Sequence, residues 1–138
     1  MEEFMKKCIL TAAAAGFLIL SLSSISLSGS NIRPGDTVYA QWTVNGWYHG
    51  TVGDDCGPGS YMVYFDDGDT KCCNTGIIVK DVIPPKTGVL PGKAVLAEWT
   101  DGNYYPGRVS VINNDLYSID FDDGDKRKVT LEQIRLRD

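Results

Sequence analysis

Three bulky aromatic residues occur twice in the same order. Trp42, Tyr48 and Phe65 return as Trp99, Tyr105 and Phe121. Each phenylalanine opens the same acidic run, Phe65-Asp66-Asp67-Gly68-Asp69 and Phe121-Asp122-Asp123-Gly124-Asp125. Rings at matched positions make either a duplicated apolar core or a duplicated binding pocket. The carboxylates are hard oxygen ligands of the kind calcium takes. Crowded into one short run, they read better as a plain acidic hairpin turn. Cys56, Cys72 and Cys73 all lie in the first copy, and with His49 they lack the CxxC spacing of a zinc site. His49 matches Pro106 in the second copy, stands outside the duplicated set and reads as a surface residue. The chain has no Ser-His-Asp set, no metal-binding histidine pair and no glycine-rich phosphate loop before a helix. No catalytic residue, metal site or cofactor is therefore expected.

The elements that position these residues are repeated as well. Pro34-Gly35, Val38, Ala40, Gly50 and Val52 recur 57 positions later as Pro91-Gly92, Val95, Ala97, Gly107 and Val109. From Tyr61 and Tyr117 onward the offset is 56, so one loop residue is lost between the halves of the unit. The segments starting at Thr37 and Ala94 alternate and are rich in β-formers, as are those near Trp47, Tyr61, Tyr104 and Leu116. Short strands at this spacing, separated by turn residues, predict a small barrel or sandwich. Asn45-Gly46 and Asp101-Gly102 suit a first hairpin turn with positive φ, and Asp67-Gly68 and Asp123-Gly124 suit a later one. Pro84-Pro85 stiffens a connection too short for independent tumbling. Matching Val82 to Ile134 makes the segment around Cys72 to Gly76 four residues longer in the first copy.

The first 30 residues are of another kind: a head with Lys6 and Lys7, an apolar run from Cys8 to Leu22, then small polar residues. That is the plan of a secretory signal peptide, and a retained membrane anchor is the alternative. Either places the repeats outside the cytoplasm. There a disulfide is expected, pairing Cys56 with Cys72 or Cys73. The net charge of −5 belongs to the repeats, because the head balances Glu2 and Glu3 against Lys6 and Lys7. An acidic chain argues against nucleic acid and suits cationic partners.

The ordered set Val-x-Ala-x-Trp, an aromatic strand with Gly-x-Val, and aromatic-x-aliphatic-x-Phe-Asp-Asp-Gly resembles the Tudor family and its Agenet-like relatives. The resemblance covers both copies. It implies an all-β fold of two tandem five-stranded SH3-like barrels, residues 31–84 and 91–138, joined by a linker at 85–90. Residues 1–30 precede them as signal peptide or anchor helix. In methyl-lysine-reading Tudor domains an aromatic cage holds the methylated ammonium. By that resemblance the cage residues are Trp42, Tyr48, Phe65 and Asp67 in the first unit and Trp99, Tyr105, Phe121 and Asp123 in the second. Where the family often has a fourth aromatic, this chain has Lys71 and Arg127. An ammonium is drawn to ring faces by about 0.5–2 kcal/mol, and a carboxylate adds Coulomb attraction. The implied function is a non-enzymatic module for a cationic ligand, with methylated lysine or arginine as one form, or for a peptide. Membrane contact would come only through residues 1–30, if uncleaved. The alternative is a secreted or envelope-associated scaffold without a working cage. The second unit, with Tyr104 and Tyr105 on opposite strand faces, is the better cage candidate.

Overall fold

The computed structural model describes residues 31–137. The segment read as a signal peptide or anchor lies outside them. The first sheet contains β1 (Thr37–Gln41), β2 (Trp47–Gly57), β3 (Ser60–Phe65), β4 (Thr70–Asn74) and β5 (Ile78–Lys80). The second contains β6 (Ala94–Glu98), β7 (Tyr104–Asn113), β8 (Leu116–Phe121), β9 (Lys126–Val129) and β10 (Ile134–Leu136). Every pairing is antiparallel, and the orders β4-β3-β2-β1-β5 and β9-β8-β7-β6-β10 are the same topology. The remaining regular elements are three single turns of 3₁₀-helix, at Thr75–Ile77, Lys86–Gly88 and Leu131–Gln133. The architecture is all-β, consistent with tandem Tudor-like barrels.

Strand alternation builds one apolar core per sheet. Val38, Ala40, Val52, Val63, Phe65 and Cys73 fill the first. Val95, Ala97, Val109, Ile119, Phe121 and Val129 fill the same places in the second. Gly50 and Gly107 sit where the middle strands press together. A Cβ there would stand 2.7 Å from the backbone oxygen of Tyr64 or of Asp120, so both positions require glycine.

The structure corrects the alignment of the two copies. The offset of 56 continues through Cys73 and Val129 to Ile78 and Ile134, each of which opens a last strand after a 3₁₀ turn. The cysteine segment therefore contains no insertion, and Val82 is not the partner of Ile134. The extra residue of the first copy is Cys56. It is the unpaired bulge between Asp55, opposite Tyr61, and Gly57, opposite Ser60. In the second sheet β7 bulges once, between Val109 and Val111, and pairs regularly to its end. The extra residue is thus inside a strand rather than in a loop. The first hairpin turn also differs between copies: Gly102 has φ +86°, whereas neither Asn45 nor Gly46 has positive φ.

The two sheets meet through a third apolar cluster, made of Trp47, Val79, Leu96 and Tyr104. Equivalent strands face each other there, β2 against β7 and β5 against β10. Tyr39 stacks on Tyr104 with ring centroids 4.7 Å apart. Arg137 lies over the Trp47 ring at 4.9 Å and Arg135 over Tyr104 at 5.2 Å. Trp47 and Tyr104 therefore pack between the sheets rather than in a core of their own. Arg135 Nε donates to Asp81 Oδ1 at 2.8 Å. His49 bridges Asp66 at 2.8 Å and Asp81 at 3.0 Å, so it is a held, partly buried residue and not a plain surface one.

Candidate functional site

Trp42 and Trp99 follow the first strand of each sheet, Tyr48 and Tyr105 stand near the start of the second, and Phe65 and Phe121 end the third. The turns hold them in like positions. Trp42 N donates to Gly46 O at 2.7 Å, and Trp99 N to Asn103 O at 2.8 Å. Phe65 N donates to Asp69 O and Phe121 N to Asp125 O, both at 2.8 Å. Gly68 and Gly124 accept the positive φ, +101° and +100°, that closes the acidic turns. Trp42 meets Phe65 edge-on at 5.5 Å and 87°, and Trp99 meets Phe121 at 5.3 Å and 85°.

These residues line two open pockets. The first, about 250 Å³, is walled by Trp42, Tyr48, Phe65, Asp67 and Asp69. The second, about 220 Å³, is walled by Trp99, Tyr105, Phe121 and three aspartates, Asp101, Asp123 and Asp125. Phe65 and Phe121 are each only 6% exposed and serve core and pocket floor together. Trp42 at 43% and Tyr48 at 51% keep ring surface in solvent. Sequence reading missed Asp69, Asp101 and Asp125. The first and last end the repeated acidic run, which was the available signal. Asp101 has Val44 as its counterpart, so no repeat pointed to it.

The basic residues at the fourth cage position are tied back. Lys71 Nζ donates to Gln41 O at 3.0 Å and lies over the Trp42 ring, 5.7 Å from its centroid. Arg127 donates to Glu98 O in the equivalent place. Neither lines either of these two pockets.

Tyr105 is the better fixed of the two tyrosines. Its hydroxyl donates to Asp101 Oδ2 at 2.7 Å, and Asn103 N donates to Asp101 Oδ1 at 2.9 Å. The Asp101 bond, and then burial, push the Tyr105 phenol above its ordinary pKa. The Asn103 amide and the Tyr105 hydroxyl hold the Asp101 carboxyl below the usual range. Among the described residues no group of three or more His, Cys, Asp or Glu side chains is arranged to hold a metal ion.

The three described cysteines are not among the residues that line these two pockets. Cys56 and Cys72 form a disulfide with Cα atoms 6.1 Å apart. Cys73 is a buried free thiol in the first core, at the position of Val129. Burial pushes its thiol pKa up, so it behaves as a small apolar side chain.

The chain belongs to the family described as a domain of unknown function, DUF4537, whose model matches residues 35–136. That span includes both sheets, so the family's unit is the pair. No curated protein matches the sequence. Among solved structures it is similar to the crystal structure of Arabidopsis thaliana AGDP1 AGD34. The identity is 15% and the TM-score 0.48, over 82% of this chain and 86% of that one.

Proposed function

We propose that the chain is a non-enzymatic binding module of two Tudor-like barrels that takes a cationic group, such as a methylated lysine side chain of a peptide, into its aromatic pockets. The observation that carries this is the duplicated convergence of one Trp, one Tyr and one Phe on a small open space edged by carboxylates. Ring faces attract an ammonium most when it is desolvated. The flanking aspartates supply the counter-charge. Hydrogen bonds to backbone carbonyls hold the Lys71 and Arg127 side chains out of the two pocket linings. The net charge of −5 favours the same partner. In this reading the module works outside the cytoplasm, where the Cys56–Cys72 bridge would persist.

The second pocket leads, because Asp101 fixes the ring of Tyr105 before the ligand arrives. The test is calorimetric titration of a trimethyl-lysine peptide against the wild-type chain and Tyr105→Ala. Binding by the wild type that weakens at least about tenfold in the variant is expected. No binding, or equal binding by both, leaves a scaffold without a working cage as the better account.

A further inference from the structure

His49 is the only histidine in the chain. Its Nδ1 stands 2.8 Å from Asp66 Oδ2, and its Nε2 stands 3.0 Å from Asp81 Oδ2. An ionised carboxylate only accepts hydrogen bonds, and a neutral imidazole has one N–H to give. The imidazolium, with two, is the form that completes both contacts. Histidine is also the side chain whose ordinary titration falls between about pH 5 and 8.

Other groups surround the ring. Tyr39 of β1 meets it edge-on, with centroids 5.2 Å apart and planes at 71°. Burial, and then the Asp81 charge, push the Tyr39 phenol well above its ordinary range, so it stays neutral where histidine titrates. Arg135 of β10 holds the other oxygen of Asp81, and Tyr104 of β7 stacks on Tyr39.

The two carboxylates belong to different parts of the fold. Asp81 is in the contact between the sheets, and its side chain is 22% exposed. Asp66 is 66% exposed and lies between Phe65 and Asp67, which both line the first pocket. Its backbone N–H donates to His49 O at 3.1 Å, and the second copy repeats that bond from Asp122 to Pro106 at 3.0 Å. The side-chain bridge is not repeated, because the side chain of Pro106 offers no hydrogen bond.

We propose that His49 is a proton-operated latch on the first pocket: charged, it ties the acidic turn at 66–69 to the contact between the sheets, and uncharged, it lets that turn go. A neutral ring keeps its one N–H on Asp81, the less exposed carboxylate, which loses more by going without a donor. Asp66 then turns to water, and the pocket walls Asp67 and Asp69 lose their brace. The second pocket, with Pro106 in that place, does not respond. Both bonds need the charged ring. The stability they give is therefore present on the acid side of the histidine range and is lost as pH rises through it. The latch acts on the pocket wall itself, so it stands or falls independently of what the pocket binds.

The test is NMR of the isotope-labelled full chain, without ligand, across about pH 5–8. With one histidine, the ring signals are unambiguous. The ring nitrogens should pass from the imidazolium pattern to that of a neutral ring protonated at Nε2. The amide signals of residues 66–69 should move with the same midpoint, while those of residues 122–125 stay still. In Asp66→Ala the ring should still titrate and the response of the first turn should vanish. His49→Gln, which is neutral throughout, should leave both turns insensitive to pH. A first turn that stays still while the ring titrates, a response shared by both turns, or one that survives Asp66→Ala overturns the latch. A ring that keeps one protonation state across the range, or that is protonated at Nδ1 when neutral, overturns it equally.

Discussion

Arg135 Nε, on the last strand of the second sheet, donates to Asp81 Oδ1 at 2.8 Å, just beyond the last strand of the first. The same carboxylate receives His49 on its other oxygen at 3.0 Å. This small network joins the two copies by polar contacts where the Trp47 cluster joins them by apolar ones.

Arg135→Ala should destabilise the chain by about 1–3 kcal/mol, because it leaves Asp81 partly buried without its main counter-charge. The midpoint of urea unfolding measures this. Burial of Asp81 opposes its charge, but the hydrogen bond and charge of Arg135, and then those of His49, outweigh it and leave the carboxyl pKa lowered. A lowered folded-state pKa gives stability that is complete above the ordinary carboxylate range and is lost as pH falls through the folded value. Asp81→Asn should therefore flatten the acid side of the stability profile. An unchanged acid limb would show that Asp81 carries none of it.

The Tyr105–Asp101 bond makes a spectroscopic prediction. In the wild type the Tyr105 phenol ionises above its ordinary range. Asp101→Asn removes the charged acceptor, and ultraviolet titration should show one tyrosine moving back towards about 10. Tyr105→Phe should delete that same high component. Superimposable titration curves for wild type and Asp101→Asn would refute the bond.

The three cysteines of the first sheet should separate by role. Replacing Cys56 and Cys72 together by Ser should cost about 3 kcal/mol, as expected for a closed loop of this size. Cys73→Val, which installs the residue of the second copy, should change stability by less than about 1.5 kcal/mol. Cys73→Ser buries a hydroxyl in the first core and should cost about 1–3 kcal/mol. Thermal melts of the three variants decide the order, and a Cys73→Val as damaging as Cys73→Ser would remove the apolar role.

Much of the fold was legible because the chain repeats it. Val38 and Ala40 against Val95 and Ala97 marked the strand faces. Gly50 and Gly107 recur as well, but the close approach of Tyr64 and Asp120 that requires them comes from the structure. The aromatic residues of the pocket walls recur in the order in which the strands present them, whereas Asp101, matched to Val44, does not recur. What was not legible is the surface that closes on itself. Alternation says that Trp47 and Tyr104 oppose Tyr48 and Tyr105, but not that a neighbouring sheet covers them. His49 was passed over for a related reason: its partners Asp66 and Asp81 are distant in sequence, and its counterpart is a proline. The false insertion arose from pairing Val82 with Ile134 on apolar likeness alone. The 3₁₀ turns before Ile78 and Ile134 give the true register.

The meeting of β2 with β7 and of β5 with β10 has an evolutionary consequence. Like faces in contact are the geometry of an isologous homodimer, here with both protomers fused into one polypeptide. Fusion frees assembly from mass action, so the pair forms at any dilution. It also lifts the constraint that both partners be identical. Asp81 corresponds to Arg137 and Arg135 to Val79, so the mirror image of the Arg135–Asp81 contact would set Val79 against Arg137. A true homodimer would carry two copies of every such pair. Among the described residues, the Arg135–Asp81 pair between the sheets, the Cys56–Cys72 disulfide and the Asp101-anchored Tyr105 each occur without a counterpart at the matching positions of the other copy.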